Sequence, residues 1–141
     1  VIVDFAHTPN AITSALSTAR KMTRKRLIHV FGSAGLRDSS KRPLMGKASA
    51  EYSDVIVLTE EDYRSEDIGA IMDAIASGIP PEKDIHRYPN RKDALMFALS
   101  QAKQGDLVIV TGKGHEKSLC RGTKEFPWSD ADETRKILKR L

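Results

Sequence analysis

Four consecutive apolar residues of high β-propensity, Val55-Ile56-Val57-Leu58, followed at once by Thr59-Glu60-Glu61-Asp62, constrain this chain more than any other feature. A strand with one wet face alternates apolar and polar residues, whereas an unbroken apolar run must be covered on both faces. Val108-Ile109-Val110 repeats the pattern before Thr111-Gly112. Strands of this kind belong to parallel sheets, which need long crossovers, and helical spacing fills the intervals between them.

Val1 to Phe5 reads as the first strand and Ala11 to Met22 as a helix, with Ile12, Ala15, Leu16, Ala19 and Met22 on one stripe. Leu27 to Phe31 is the second strand, Pro43 opens a helix reaching about Tyr52, and Asp54 to Thr59 holds the third strand. A helix over Glu66 to Ser77 ends at Gly78 and Pro80-Pro81, and Ile85 to Tyr88 is a short strand. Arg91 to Lys103 is a helix closed by Gly105, and Asp106 to Thr111 is the next strand. Leu119 to Trp128 reads as a hairpin, and Ser129-Asp130-Ala131-Asp132 as a capping box opening a helix to Leu141. This alternation specifies an α/β, Rossmann-like three-layer domain, a mostly parallel sheet flanked by helices.

With 141 residues, positions 1–141 suffice for one domain, and the start at Val1 inside an apolar run is expected of a piece of something longer. The 23 basic and 19 acidic residues are dispersed and aromatics are only 6%, which argues against a nucleic-acid groove; the net charge of +4 suits a small anionic ligand. A lone Cys120 excludes an internal disulfide and fits a reducing, cytoplasmic setting. No run of about 18 apolar residues points to a membrane.

Ligands of open α/β sheets bind beyond the carboxyl ends of the strands, and four polar stretches fall there. In Asp4-Phe5-Ala6-His7-Thr8-Pro9-Asn10, Asp4 and His7 suit a ribose hydroxyl and a base; a turn held by Asp4 and a helix capped by Asn10 explain them equally well. Gly32 to Arg42 supplies glycines for close backbone approach, then Arg37 and Lys41 for an anion, while Arg42 beside Pro43 is expected to be structural. No G-x-x-x-x-G-K-[ST] loop is present.

Glu60 to Asp67 holds acids that a solvated loop and a helix N-terminus account for, leaving Arg64 unexplained. Gly112-Lys113-Gly114-His115-Glu116 adds Lys113 and His115 to Lys41 as candidate anion contacts, and Glu116 as an acceptor for an ammonium group. The histidines and the cysteine lack metal-ligand spacing, and His29 and His86 read as strand residues.

Val3-Asp4-Phe5-Ala6-His7-Thr8-Pro9, Phe31-Gly32 through Arg37-Asp38 with Lys41-Arg42-Pro43-Leu44-Met45-Gly46, and Gly112 to Glu116, in this order, resemble the C-terminal domain of the muramyl ligase family. Within it the likeness is greatest to members that add the third residue of the peptidoglycan stem peptide. The resemblance implies ATP-dependent amide formation, in which a carboxylate of UDP-muramoyl-dipeptide becomes an acyl phosphate that the amine of an incoming diamino acid attacks. It implies ATP and Mg2+, with the phosphate loop and magnesium ligands on a central domain and the UDP-sugar on an N-terminal one. Both lie outside this chain, so the domain alone is expected to be inactive.

By matching position, Asp4 and His7 face the nucleotide, while Arg37, Gly112 and Glu116 hold the amino acid. The family's selector for meso-diaminopimelate, Asp-Asn-Pro-Arg, is here Glu61-Asp62-Tyr63-Arg64, which places these four in the amino-acid site with only Arg64 retained. An ionised Asp62 accepts without donating and adds negative charge, favouring an ammonium group. With Arg64 free for a distal carboxylate, meso-diaminopimelate is the expected substrate and lysine the next. A folylpolyglutamate- or cyanophycin-type ligase, or a non-catalytic anion- or nucleotide-binding module, are the alternatives.

Overall fold

The computed structural model describes all residues, 1–141. Strands β1 (Ile2–Asp4), β2 (Leu27–Phe31), β3 (Val55–Leu58), β4 (Asp84–Arg87) and β5 (Leu107–Thr111) form one parallel sheet in the order β1-β5-β2-β3-β4. Helices α1 (Pro9–Met22), α2 (Arg42–Tyr52) and α3 (Ile68–Ala76) cover one face; α4 (Arg91–Gln101) and α5 (Asp130–Arg140) cover the other. Between β5 and α5, β6 (Ser118–Arg121) and β7 (Lys124–Pro127) pair as an antiparallel hairpin.

The unbroken apolar runs are explained by two cores. Leu27, Phe31, Ile56, Leu58 and Ile109 turn toward α1, α2 and α3, while Ile28, Val30, Val55, Val57, Val108 and Val110 turn toward α4 and α5. Each such side chain contributes roughly 1.5–3 kcal/mol by leaving water. The edge strands β1 and β4 carry no fully buried residue.

Helix starts are set by local chemistry and shift slightly from expectation. Thr8, not Asn10, caps α1: its Oγ1 accepts from the Ala11 N–H at 3.2 Å, and Pro9, whose fixed φ suits the first helical position, brings the helix forward. Asp67 caps α3, so that helix begins at Ile68, and Glu66 stays outside it, bound to Arg42. Ser129 caps α5 by accepting from Asp132 N–H. The sheet order places the exits of β1, β5, β2 and β3 side by side, which brings all four polar stretches onto one rim.

Candidate functional site

One end of the rim is aromatic. The exposed Phe5 ring lies 4.7 Å from the His7 ring and 5.2 Å from the His115 ring, joining the exits of β1 and β5 above a largely apolar cleft of about 520 Å³. Phe5 itself is a residue that sequence reasoning passed over; its signal was an apolar ring next to Asp4 at the end of a strand. The turn explanation of Asp4 is also realised, since its Oδ1 accepts from Ala6 N–H at 2.8 Å. Lys41 Nζ donates to the His7 carbonyl at 3.3 Å, tying the exit of β2 to that of β1.

The other end is charged. The Arg37 residue is exposed and its guanidinium makes one hydrogen bond, to the neighbouring Leu36 carbonyl, with no acidic partner. Arg64, held in the left-handed region at φ 55°, spends NH1 on the carbonyls of Gly35 and Asp62, at 2.8 and 3.2 Å. Its Nε and NH2 remain without partners in the protein. Glu116 is partly exposed, 3.6 Å from Lys113.

Several expectations are corrected here. Lys113 is not an open anion contact: it is 1% exposed and donates to both carboxylate oxygens of Asp62, at 3.0 and 2.8 Å. The same pair takes Asp62 out of play as a free acceptor, and Asp62 Oδ1 also accepts from the Cys120 N–H at 2.7 Å. Nor is the acidic stretch a solvated loop. Glu60 is buried and accepts from the Arg91 N–H and from Arg121 Nε and NH2. Glu66 stands outside α3, where Arg42 and the Leu36 N–H hold it, lowering its pKa to about 2. Arg42 is structural, as expected, and reaches the Ala34 carbonyl as well.

Glu61 is different from its neighbours. It is buried, and its Oε2 has no hydrogen-bond partner. Burial pushes its pKa up to about 7, against the opposing pull of Arg91 and with Asp62 adding to the rise. Gly112, at φ +110°, lets the β5 exit turn tightly over it; a Cβ there would lie 2.4 Å from Glu61 Oε2. Gly112 also donates to the Asp4 carbonyl at 3.2 Å.

Behind the rim, Arg91 and Asp130 are fully buried and joined by two hydrogen bonds of 2.8 Å. Neither was singled out from the sequence. The available signal was Arg91 standing on the same helical stripe as Ala94, Leu95 and Ala98, where a cation needs a buried partner. His29 and His86 lie in strands; burial lowers the His29 pKa to about 3, with the Arg91 charge adding to the shift. No three His, Cys, Asp or Glu side chains are placed to hold a metal ion, and no helix is long and apolar enough to cross a membrane.

This parallel α/β domain is a Mur ligase domain: the chain belongs to this family, residues 1–114 matching its glutamate ligase domain. Among curated proteins it is similar to the UDP-N-acetylmuramoyl-L-alanyl-D-glutamate--2,6-diaminopimelate ligase of Aquifex aeolicus, with 45% identity over 98% of this chain and 29% of that protein. It is also similar to the UDP-N-acetylmuramyl-tripeptide synthetase of Roseiflexus sp., with 42% identity over 100% of this chain and 29% of that protein. A solved structure of a UDP-N-acetylmuramoyl-L-alanyl-D-glutamate--2,6-diaminopimelate ligase superposes with a TM-score of 0.94 at 34% identity, over 98% of this chain and 28% of that one. The chain thus spans less than a third of the length of these relatives.

Proposed function

We propose that this chain is the amino-acid-binding domain of an ATP-dependent ligase that joins a diamino acid to UDP-muramoyl-dipeptide through an acyl phosphate. The observation that carries the reading is the presence, on adjacent strand exits, of a cation with no acidic partner, Arg37, and a buried carboxyl with no hydrogen-bond partner, Glu61. An α-amino acid presents the complement of both, a carboxylate and an ammonium group. Arg37 takes the carboxylate near the reacting amine, and Glu61 with Glu116 receives ammonium groups. The free Nε and NH2 of Arg64 take a second, distal carboxylate.

That count of charges favours meso-diaminopimelate, which has two carboxylates, over lysine, which leaves Arg64 unmatched. The names of the relatives support the same choice. Because Lys113 neutralises Asp62, position 62 adds no net charge to the pocket, so the departure from Asn there leaves the preference for a second carboxylate intact.

The rings of Phe5, His7 and His115 supply a stacking surface for the base of ATP, with Asp4 beside it for the ribose. The phosphate loop and the Mg2+ ligands belong to the central domain of the complete enzyme, as the family resemblance implies. The domain's work is then to orient the amine toward the acyl phosphate and to close over the nucleotide. The deciding experiment is amino-acid-dependent phosphate release by the full-length enzyme with meso-diaminopimelate, lysine and glutamate offered in turn. Turnover greatest with meso-diaminopimelate is expected; turnover that ignores it overturns the assignment.

A further inference from the structure

Arg91 contacts no surface of the proposed pocket, yet it touches both strand exits that form it. Its NH1 donates to the Glu60 carbonyl at 2.9 Å and its NH2 to the Thr111 carbonyl at 3.0 Å. These are the peptide groups immediately before Glu61 and Gly112. Its Nε and NH2 also grip Asp130, whose Oδ1 accepts from Trp128 Nε1 at 2.7 Å. Thr111 is held from the opposite side as well, its Oγ1 lying 2.8 Å from His29 Nε2 while His29 Nδ1 meets Ser49 Oγ at 2.7 Å.

A buried ion pair is poor glue, since desolvation of both charges offsets most of their attraction, and apolar side chains of similar volume stabilise a core as well. What apolar side chains cannot do is satisfy two carbonyls on separate strands at one fixed spacing. A planar guanidinium can, because its donors are set at rigid angles, whereas a lysine ammonium offers a point charge on a flexible stem. We propose that Arg91 is a positioning residue that sets the separation of Glu61 from Gly112, and thereby the width of the amino-acid pocket, with Asp130 holding it in place. The inference rests on the reading of that pocket given above. It also assigns a task to the segment after residue 114, where the family match ends: α5 supplies the carboxylate that aims the fork.

The test is Arg91→Lys in the full-length ligase, with amide hydrogen exchange measured in peptides spanning 60–64 and 112–116. Exchange there should quicken by about tenfold, from the loss of charge-assisted bonds to two carbonyls, while peptides within β2 stay protected. The KM for the amino acid should rise by about tenfold with kcat and the KM for ATP within about twofold. Unchanged exchange in both loops overturns the proposal. Faster exchange with an unchanged amino-acid KM leaves the positioning of the loops standing and sinks the reading of the pocket as the amino-acid site. If the lysine variant does not fold, Asp130→Asn, which keeps the shape and most of the hydrogen bonds, is decided by the same two measurements.

Discussion

Asp62 and Lys113 form a closed pair across two strand exits: the ammonium, 1% exposed, lies within 3.0 Å of both carboxylate oxygens, and the Cys120 N–H completes the acceptor's partners. The charge introduced at position 62 is therefore answered inside the protein. Asp62→Ala strands a buried cation whose remaining acid, Glu116, stands 3.6 Å away and is 41% exposed. A loss of about 3 kcal/mol in unfolding free energy is expected by urea titration, as for other broken buried pairs. A loss below about 0.5 kcal/mol would show that the pair contributes little.

Arg37→Ala should behave in the opposite way, because its side chain is exposed and holds nothing but a neighbouring carbonyl. Stability should stay within about 0.5 kcal/mol of the parent. In the full-length ligase, kcat/KM for the amino acid should fall roughly thirtyfold, with the KM for ATP little altered. An unchanged response to amino-acid concentration would remove Arg37 from the site.

Glu61 makes a prediction in pH. Its folded pKa is about 7 against an ordinary 4.5, so the fold favours the neutral carboxyl. The stability that Glu61 contributes is complete below pH 4.5 and is lost as pH rises through about 7. Glu61→Gln stays neutral throughout, so it should gain on the parent by roughly 2–3 kcal/mol between pH values of about 5 and 8. In the ligase the same change removes an anion from the pocket and should weaken amino-acid binding. Parallel stability profiles for the two proteins would show that Glu61 does not titrate in this range.

Gly112→Ala combines backbone strain with a clash, since φ is +110° and the new Cβ falls 2.4 Å from Glu61 Oε2. We expect a cost of about 2–3 kcal/mol by thermal unfolding. Gly122→Ala is the control for a left-handed backbone without a clash: φ is 63°, a value L-residues adopt more readily than +110°, and nothing lies within 4 Å of the new methyl group, so about 1 kcal/mol is expected. Equal losses in the two variants would mean that the contact with Glu61 is not what requires glycine at 112.

The strands, the helices, the hairpin and the four-part rim were legible because each follows from residues near one another in the chain. Val55 to Leu58 and Val108 to Val110 announce doubly covered strands through an unbroken apolar run, and Pro43, Gly105 and Ser129 mark boundaries through backbone geometry and capping. Even the misplacement of the α1 cap from Thr8 to Asn10 was a shift of two residues. Motif resemblance added the expectation that Arg37, the Glu61 to Arg64 loop and Gly112 to Glu116 serve one site.

By itself, then, the sequence determined the class of fold, which loops share an edge, and the family. Which charges are free was decided only by tertiary structure. Asp62 and Lys113 are 51 residues apart and Arg91 and Asp130 are 39 apart, and nothing in either local stretch names the other. A carboxylate near a strand end looks the same in sequence whether it meets a lysine, as Asp62 does, an arginine, as Glu60 does, or nothing, as Glu61 does. Periodicity and capping are set within a few residues, whereas desolvation and ion pairing depend on what the folded chain brings alongside.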